Sequence, residues 1–111
     1  MSALKSPRDC TSLNDVRVGI DSLDRQIFEA LRQRLEYVKA AAQFKPSEES
    51  IPAPERVLTM LAERREWAEA AGYNVAFTEE LFRQIIEWNI QQQILHWRAT
   101  RGQANPTEVQ A

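Results

Sequence analysis

The chain has 111 residues, 43% of them hydrophobic, and its 14 basic and 16 acidic side chains give a formal net charge of −2. This length predicts one domain, and this apolar content is enough for a core, which excludes global disorder. The charge balance argues against a nucleic-acid or anionic-membrane surface, because either partner selects a basic excess.

Cysteine content and hydropathy indicate the compartment. Cys10 is the single cysteine, so no intrachain disulfide can form and a reducing, cytoplasmic location is expected. No apolar run approaches the ~20 residues of a membrane span. Residues 1–8 lack the apolar stretch of a signal peptide, and we expect them to be a flexible N-terminus.

The first predicted helix begins at Ser12-Leu13-Asn14-Asp15, where a hydroxyl and a carboxylate can accept hydrogen bonds from free backbone amides. Apolar positions then recur at steps averaging 3.5 residues, as in a coiled-coil seam. Pro46 ends the helix, because a proline disfavours helical backbone in the residue before it. The stripe comprises Leu13, Val16, Ile20, Leu23, Ile27, Ala30, Arg34, Val38 and Ala41.

Two further helices follow a loop at residues 46–53. The second is predicted to run from Pro54, which suits a first helical turn, to Gly72. The third begins near Thr78 and ends at Gly102. We therefore expect a helical domain over residues 9–101 and a disordered polar tail over residues 102–111. The stripes are Val57, Leu61, Arg64 or Arg65, and Ala68 on the second helix, and Phe82, Ile86, Asn89, Gln93 and Trp97 on the third.

The length of the first helix predicts a dimer. As one helix, residues 13–45 would span roughly 50 Å, at ~1.5 Å per residue. A compact globule of this chain length has a diameter of roughly 35 Å. Two other helices cannot cover such a rod, so we predict an all-α, intertwined homodimer in which the first helices pair.

Arg34 occupies a seam position where an apolar residue is expected. A buried cation needs an anionic partner, and the candidate stripes carry no carboxylate, so a small polyanionic ligand is the simplest partner. Lys45 lies eleven residues later, within about 20° of the same helical face. Glu29 or Asp24 of another chain is an alternative partner for Arg34.

Arg17 and Gln93 are further candidates. Arg17 precedes Arg34 by seventeen residues, about 100° around and more than 20 Å along a helix, so both can hold one ligand only if Arg17 reaches it from a partner chain. The alternative is that Arg17 and Lys45 are solvated surface charges. Gln93 must find partners for its buried amide, either a ligand or, as spacing alone favours, a neighbouring helix.

Other polar and aromatic residues give weaker evidence of a functional site. With one histidine, His96, no histidine-based metal site is predicted. Cys10 has no histidine near it in sequence and is not expected to act as a nucleophile. Trp67, Trp88 and Trp97 are assigned to a core or an interface. There is no Gly-rich phosphate loop or nucleotide fingerprint.

The sequence resembles the all-helical chorismate mutase family over about residues 7–101. Within it, the branch of isochorismate pyruvate lyases, which make salicylate for siderophores such as pyochelin, is the most similar, through Phe44-Lys45 and Ile51-Pro52-Ala53-Pro54-Glu55-Arg56-Val57. The other matching segments are Asp9-Cys10-Thr11-Ser12-Leu13, Val16-Arg17, Ile20-Asp21-Ser22-Leu23-Asp24, Arg32-Gln33-Arg34-Leu35-Glu36-Tyr37-Val38-Lys39-Ala40-Ala41, Phe82-Arg83-Gln84-Ile85-Ile86-Glu87-Trp88, Gln93 and Trp97-Arg98.

The resemblance implies a role for each candidate. Arg17 would reach into the partner subunit's site, and Arg34 would clamp a substrate carboxylate. Lys45 would face the ether oxygen and a nearby carboxylate, and Gln93 would donate a hydrogen bond. Lys45 and Arg34 are thus the expected catalytic pair, and no cofactor or metal is implied. Arg56 aligns with a further binding arginine of the mutases.

Two positions depart from the mutases. Val57 stands where they usually carry a glutamate, and Asn89 where a small hydroxyl residue is usual. Both changes favour a lyase that converts isochorismate to salicylate and pyruvate, with weak activity on chorismate. The alternatives are a chorismate mutase proper, which makes prephenate, and a non-catalytic helical dimerisation module.

Overall fold

The computed structural model describes residues 5–104, with side chains for residues 5–101. It contains three α-helices and no strand over that range: α1 (Leu13–Ala41), α2 (Pro54–Ala71) and α3 (Val75–Ala104). Short 3₁₀ turns cover Pro7–Asp9, Ala42–Phe44 and Glu48–Ser50. The all-α class is confirmed. Within the described range no helix is long and apolar enough to cross a membrane.

The expected terminal segments fall largely outside this range. Residues 1–4 of the expected flexible N-terminus and residues 105–111 of the expected tail lie outside the described residues. Residues 102–104 of the expected tail are helical, so α3 ends two residues after the predicted Gly102. The described part of the chain divides into two compact units, residues 5–34 and residues 35–104, which are described separately below.

In the first unit, the start of α1 is capped as the sequence predicts. The Ser12 hydroxyl accepts the Asp15 amide at 3.0 Å. The Asp15 carboxylate accepts the Thr11 amide at 3.0 Å, the Thr11 hydroxyl at 3.1 Å and the Lys5 ammonium at 2.9 Å. The bond from the Thr11 amide, followed by that from Lys5, lowers the pKa of Asp15 from 3.8 to about 2.

The apolar stripe of α1 in the first unit is left exposed by the single chain. Its large members are between 38% and 61% exposed. An apolar stripe this long normally packs against another element. The exposed members are Leu13, Val16, Ile20, Leu23 and Ile27.

The end of α1 differs from the sequence prediction. The α-helix stops at Ala41, and the chain continues through the 3₁₀ turn Ala42–Phe44 into extended backbone at Lys45, with φ −90° and ψ 126°. Pro46 explains the extended conformation, because its ring excludes helical backbone from the preceding residue. The prediction that Arg34 and Lys45 share one helical face is therefore wrong.

In the second unit, α2 and α3 form a helical hairpin with a three-residue connection. Pro54 opens α2, and Gly72 ends it in the left-handed conformation, φ +65°, as predicted. The helix α3 starts at Val75, three residues before the predicted position. Asn74 is responsible, because its side-chain oxygen accepts the Phe77 amide at 2.7 Å and so caps the helix.

The core of the second unit lies between the predicted stripes. Arg64, not Arg65, is the arginine on the α2 stripe: its side chain is 15% exposed against 49% for Arg65. Arg64 stacks on the Trp67 ring at 4.5 Å from its centroid. The buried residues include Ala42, Ile51, Leu61, Ala68, Thr78, Ile86, Asn89 and Gln93.

The capping carboxylate predicts a pH-dependent contribution to stability. Because Asp15 is more acidic in the folded chain, it stabilises the fold above pH 3.8, and this stabilisation disappears as the pH falls through about 2. We expect Asp15→Asn to lower the melting temperature at pH 7 and to differ less from the parent at pH 3. Thermal unfolding followed by circular dichroism measures both. A difference that stays the same at the two pH values would contradict the assignment.

Candidate active site

Lys45 is held by its backbone. Its amide donates to the Ala42 carbonyl at 3.1 Å. Its carbonyl accepts the Trp97 indole N–H at 3.3 Å and Nη2 of Arg101 at 3.2 Å. The residue is half-buried, and no carboxylate of residues 35–101 lies within ion-pair distance of its ammonium. The second unit thus contains a cation whose backbone is held by hydrogen bonds and whose charge is available to an anion.

Among the described side chains of α3, Gln93 and Asn89 are the two buried amides, with 5% and 4% exposure. Gln93 Nε2 donates to the Val38 carbonyl at 2.5 Å. This is the hydrogen bond to a neighbouring helix that spacing alone favoured. One N–H and the carbonyl oxygen of the Gln93 side chain lie beyond that bond, so the amide can also address a ligand.

Arg17 and Arg34 belong to the first unit. Arg17 is exposed, and its guanidinium makes no ion pair with a carboxylate of residues 5–34. Arg34 is half-buried. Glu29, considered above as a partner for Arg34, is already bound within its own chain: Arg32 lies 2.6 Å from one carboxylate oxygen and Arg25 lies 3.2 Å from the other.

The loop after Lys45 is fastened to α3. Arg98 donates from Nε and Nη2 to the two carboxylate oxygens of Glu48, at 2.8 Å and 2.6 Å. This hydrogen bonding lowers the pKa of Glu48 and raises that of Arg98. Ile51 is 2% exposed and anchors the other end of the loop in the core. The loop that was predicted from its prolines is therefore attached at two points.

Sequence reasoning missed the contribution of the last turns of α3. Trp97 was assigned only to a core or an interface, Arg98 was noted only as part of a matching segment, and Arg101 was not singled out. A sequence signal for one pair exists, because Trp97 and Arg101 are four residues apart on a helix and are neighbours on its surface. Their target, a backbone carbonyl more than fifty residues earlier, leaves no local signal.

Residues to which the sequence analysis gave no catalytic role take no part in the contacts around Lys45. Cys10 Sγ lies 3.5 Å from the Ser6 carbonyl, and His96 lines a cavity of about 360 Å³ with Lys39 and Thr100. Among the described residues, no group of three His, Cys, Asp or Glu side chains could hold a metal ion. Trp67 and Trp88 are 54% and 56% exposed.

Known proteins match this chain over most of its length. Residues 16–94, which include the four candidate side chains, match the family described as chorismate mutase type II. The chain is 55% identical to the isochorismate pyruvate lyase of Pseudomonas aeruginosa over 101 residues, 91% of this chain and all of that protein. It is 38% identical to the T-protein of Haemophilus influenzae over 77 residues, and 37% identical to that of Enterobacter agglomerans over 76, in each case 20% of the relative's length.

The buried amide of α3 can be tested through stability. We expect Gln93→Met to lower the free energy of unfolding by about 1 kcal/mol, the net value of one hydrogen bond. Gln91→Met is the matched control, because Gln91 is exposed on the same helix. Urea unfolding measures both, and equal effects for the two variants would contradict a structural bond from Gln93.

Proposed function

The chain belongs to the chorismate mutase type II family, and we propose that it is an isochorismate pyruvate lyase with a weak chorismate mutase side activity. Its 55% identity to the P. aeruginosa enzyme of that name, over the whole length of that enzyme, carries this proposal. The substrate is isochorismate, with chorismate second, and the products are salicylate and pyruvate. Use of the salicylate in a siderophore is part of the proposal.

The reaction proposed needs no external reactant. A hydrogen moves from the substrate ring to the methylene carbon of the enolpyruvyl group as the ether C–O bond breaks. The ring becomes aromatic as salicylate, and the ether oxygen leaves as the keto oxygen of pyruvate. Since this rearrangement requires no general base or nucleophile, the protein's task is to fold the dianion and to stabilise negative charge on the departing oxygen.

In this mechanism Lys45 faces the ether oxygen and an adjacent carboxylate, and Arg34 clamps a carboxylate. Gln93 donates its second N–H to the substrate. Charge-assisted hydrogen bonds contribute about 1.5–3 kcal/mol each. A modest enzyme lowers its barrier by about 8 kcal/mol, so three or four such contacts are sufficient. Two observations support the role of Lys45 at the ether oxygen: its ammonium has no carboxylate partner among residues 35–101, and its backbone is held by hydrogen bonds.

We propose a homodimer in which Arg17 completes the partner subunit's site. The exposed apolar stripe of α1 supports this, as does the length of that helix, 29 residues or about 43 Å at ~1.5 Å per residue. The dimer would cover two exposed surfaces of the single chain, of which the first is this stripe of α1. The second is an apolar cavity of about 280 Å³ near the α2–α3 connection, lined by Trp67, Tyr73 and Phe77 among others.

The loop at residues 46–53 is proposed to close over the substrate and exclude water. Its position directly after Lys45 supports this role. A cytoplasmic location is also proposed, and the single cysteine favours it.

The first experiment adds the purified protein to isochorismate and follows salicylate by its fluorescence, with chorismate in a parallel cuvette. Rapid salicylate release with slow loss of chorismate is expected. Prompt prephenate without salicylate would identify a chorismate mutase, against which Val57 argues. No reaction with either substrate would leave a non-catalytic dimerisation module.

Lys45→Ala tests the proposed cation. We expect kcat/KM for isochorismate to fall about 30- to 150-fold, the loss of one charged hydrogen bond of 2–3 kcal/mol. Lys39→Ala, six residues earlier, is the control and should stay within about twofold. Circular dichroism and size-exclusion chromatography establish that both variants keep the parent's helix content and assembly. Near-normal turnover by Lys45→Ala would refute the role.

Subunit mixing tests the contribution of Arg17. Arg17→Ala and Lys45→Ala dimers are each expected to be nearly inactive. If Arg17 serves the partner's site, a mixed dimer contains one intact site, so statistical mixing should restore about a quarter of the parent rate. If Arg17 serves its own chain's site, both sites of the mixed dimer are defective. Activity that stays at the level of the unmixed variants would overturn the shared site.

A further inference from the structure

The last turns of α3 contact the segment that carries Lys45 at several points. The Trp97 indole N–H and the Arg101 guanidinium both donate to the Lys45 carbonyl, at 3.3 Å and 3.2 Å. Arg101 lies over the Trp97 ring, 5.2 Å from its centroid. The two side chains therefore stabilise each other by a cation–π contact while both donate to the Lys45 carbonyl.

Arg101 also contacts two carbonyl oxygens of the 3₁₀ turn Ala42–Phe44. Its Nη2 lies 3.4 Å from the Ala42 carbonyl and 3.3 Å from the Gln43 carbonyl. A carbonyl oxygen can accept a second hydrogen bond, as that of Ala42 does beside the Lys45 amide, and a cation at the end of a helix is favourable. Arg101 thus fixes the exit of the chain from α1 at the three carbonyls around Lys45.

Arg98 binds Glu48, which lies three residues after Lys45 in the chain. Its two-point ion pair with Glu48 joins the beginning of the 46–53 loop to the same end of α3. The Glu48 side chain is 34% exposed and that of Arg98 58% exposed, so the pair adds little to overall stability. Its effect is local, because it restricts the loop that follows Lys45.

We propose that Trp97, Arg98 and Arg101 are positioning residues, which hold the Lys45 segment so that its ammonium meets the substrate's ether oxygen. This rests on the proposed lyase function and the role of Lys45 in it. Trp97 and Arg101 fix the backbone from which the side chain extends, and Arg98 holds the loop that follows it. Positioning matters here because the reaction depends on placed charge, and small displacements of a catalytic group lower rates strongly.

Conservative variants separate these contacts. Trp97→Phe keeps an aromatic ring and removes one donor to Lys45, and Arg98→Gln removes the ion pair. Each is expected to lower kcat about tenfold, with a smaller change in KM, because placement acts on the transition state. Arg83→Gln is the control: it breaks a comparable pair on α3, Arg83 to Glu79 at 3.0 Å, and kcat should stay within about twofold.

A double-variant test separates positioning from simple stability. If the three residues act through Lys45, Trp97→Phe and Arg98→Gln should cause no further loss of kcat in a Lys45→Ala background. A residue that only stabilises the fold would multiply the two losses. The exchanged pair Glu48→Arg with Arg98→Glu should recover most of the rate lost by Arg98→Gln.

Hydrogen exchange supplies a readout besides activity. The Lys45 amide, bonded to the Ala42 carbonyl, should exchange faster in Trp97→Phe and Arg98→Gln than in the parent or Arg83→Gln. If the parent makes salicylate and the variants keep kcat within twofold, the positioning role is overturned alone. Unchanged exchange, or multiplied losses in the Lys45→Ala background, overturns it as well. If the parent makes no salicylate from isochorismate, the lyase function fails and the positioning role fails with it.

Discussion

The second unit depends on how the carbonyl oxygens at the end of α1 are satisfied. The last carbonyls of a helix have no amide partner within it. Here α3 supplies donors at four-residue intervals, which places them along one face. The donors are Gln93, Trp97 and Arg101, and their acceptors are carbonyls within residues 38–45. These bonds fix the place where the chain leaves α1, and therefore the backbone from which Lys45 extends.

A second constraint comes from apolar surface that one chain does not bury. Leu13, Ile20, Leu23 and Ile27 are each more than half exposed, and so are Trp67 and Phe77 in the second unit. At about 25 cal/mol per Å² of apolar surface buried, covering these side chains would contribute substantially to an association. The proposed dimer thus links stability to function, because the same association would bring the exposed Arg17 to another chain.

The cations of the chain suit a reaction whose rate depends on the position of charges around the substrate. A pericyclic elimination has no proton to exchange with an acid or base of the protein, so fixed cations and hydrogen-bond donors are its main source of rate. Lys45 has a rigid backbone and an ammonium without a carboxylate partner among residues 35–101. Glu48, the carboxylate nearest to it in sequence, is bound by Arg98, which keeps it from neutralising that charge.

The sequence by itself determined the three helices, the bounds of α2 and the buried stripe of α3, because proline, glycine and apolar periodicity act within a few residues. It also singled out the candidate side chains, through an unexpected cation in an apolar seam and through a family resemblance that the comparisons confirm. It misplaced the start of α3, where the Asn74 cap was overlooked, and the end of α1. Only the tertiary structure decided how Lys45 is held, because Trp97 and Arg101 bind its carbonyl across more than fifty residues, and a bond between a side chain and a distant backbone group leaves no periodic trace in the sequence.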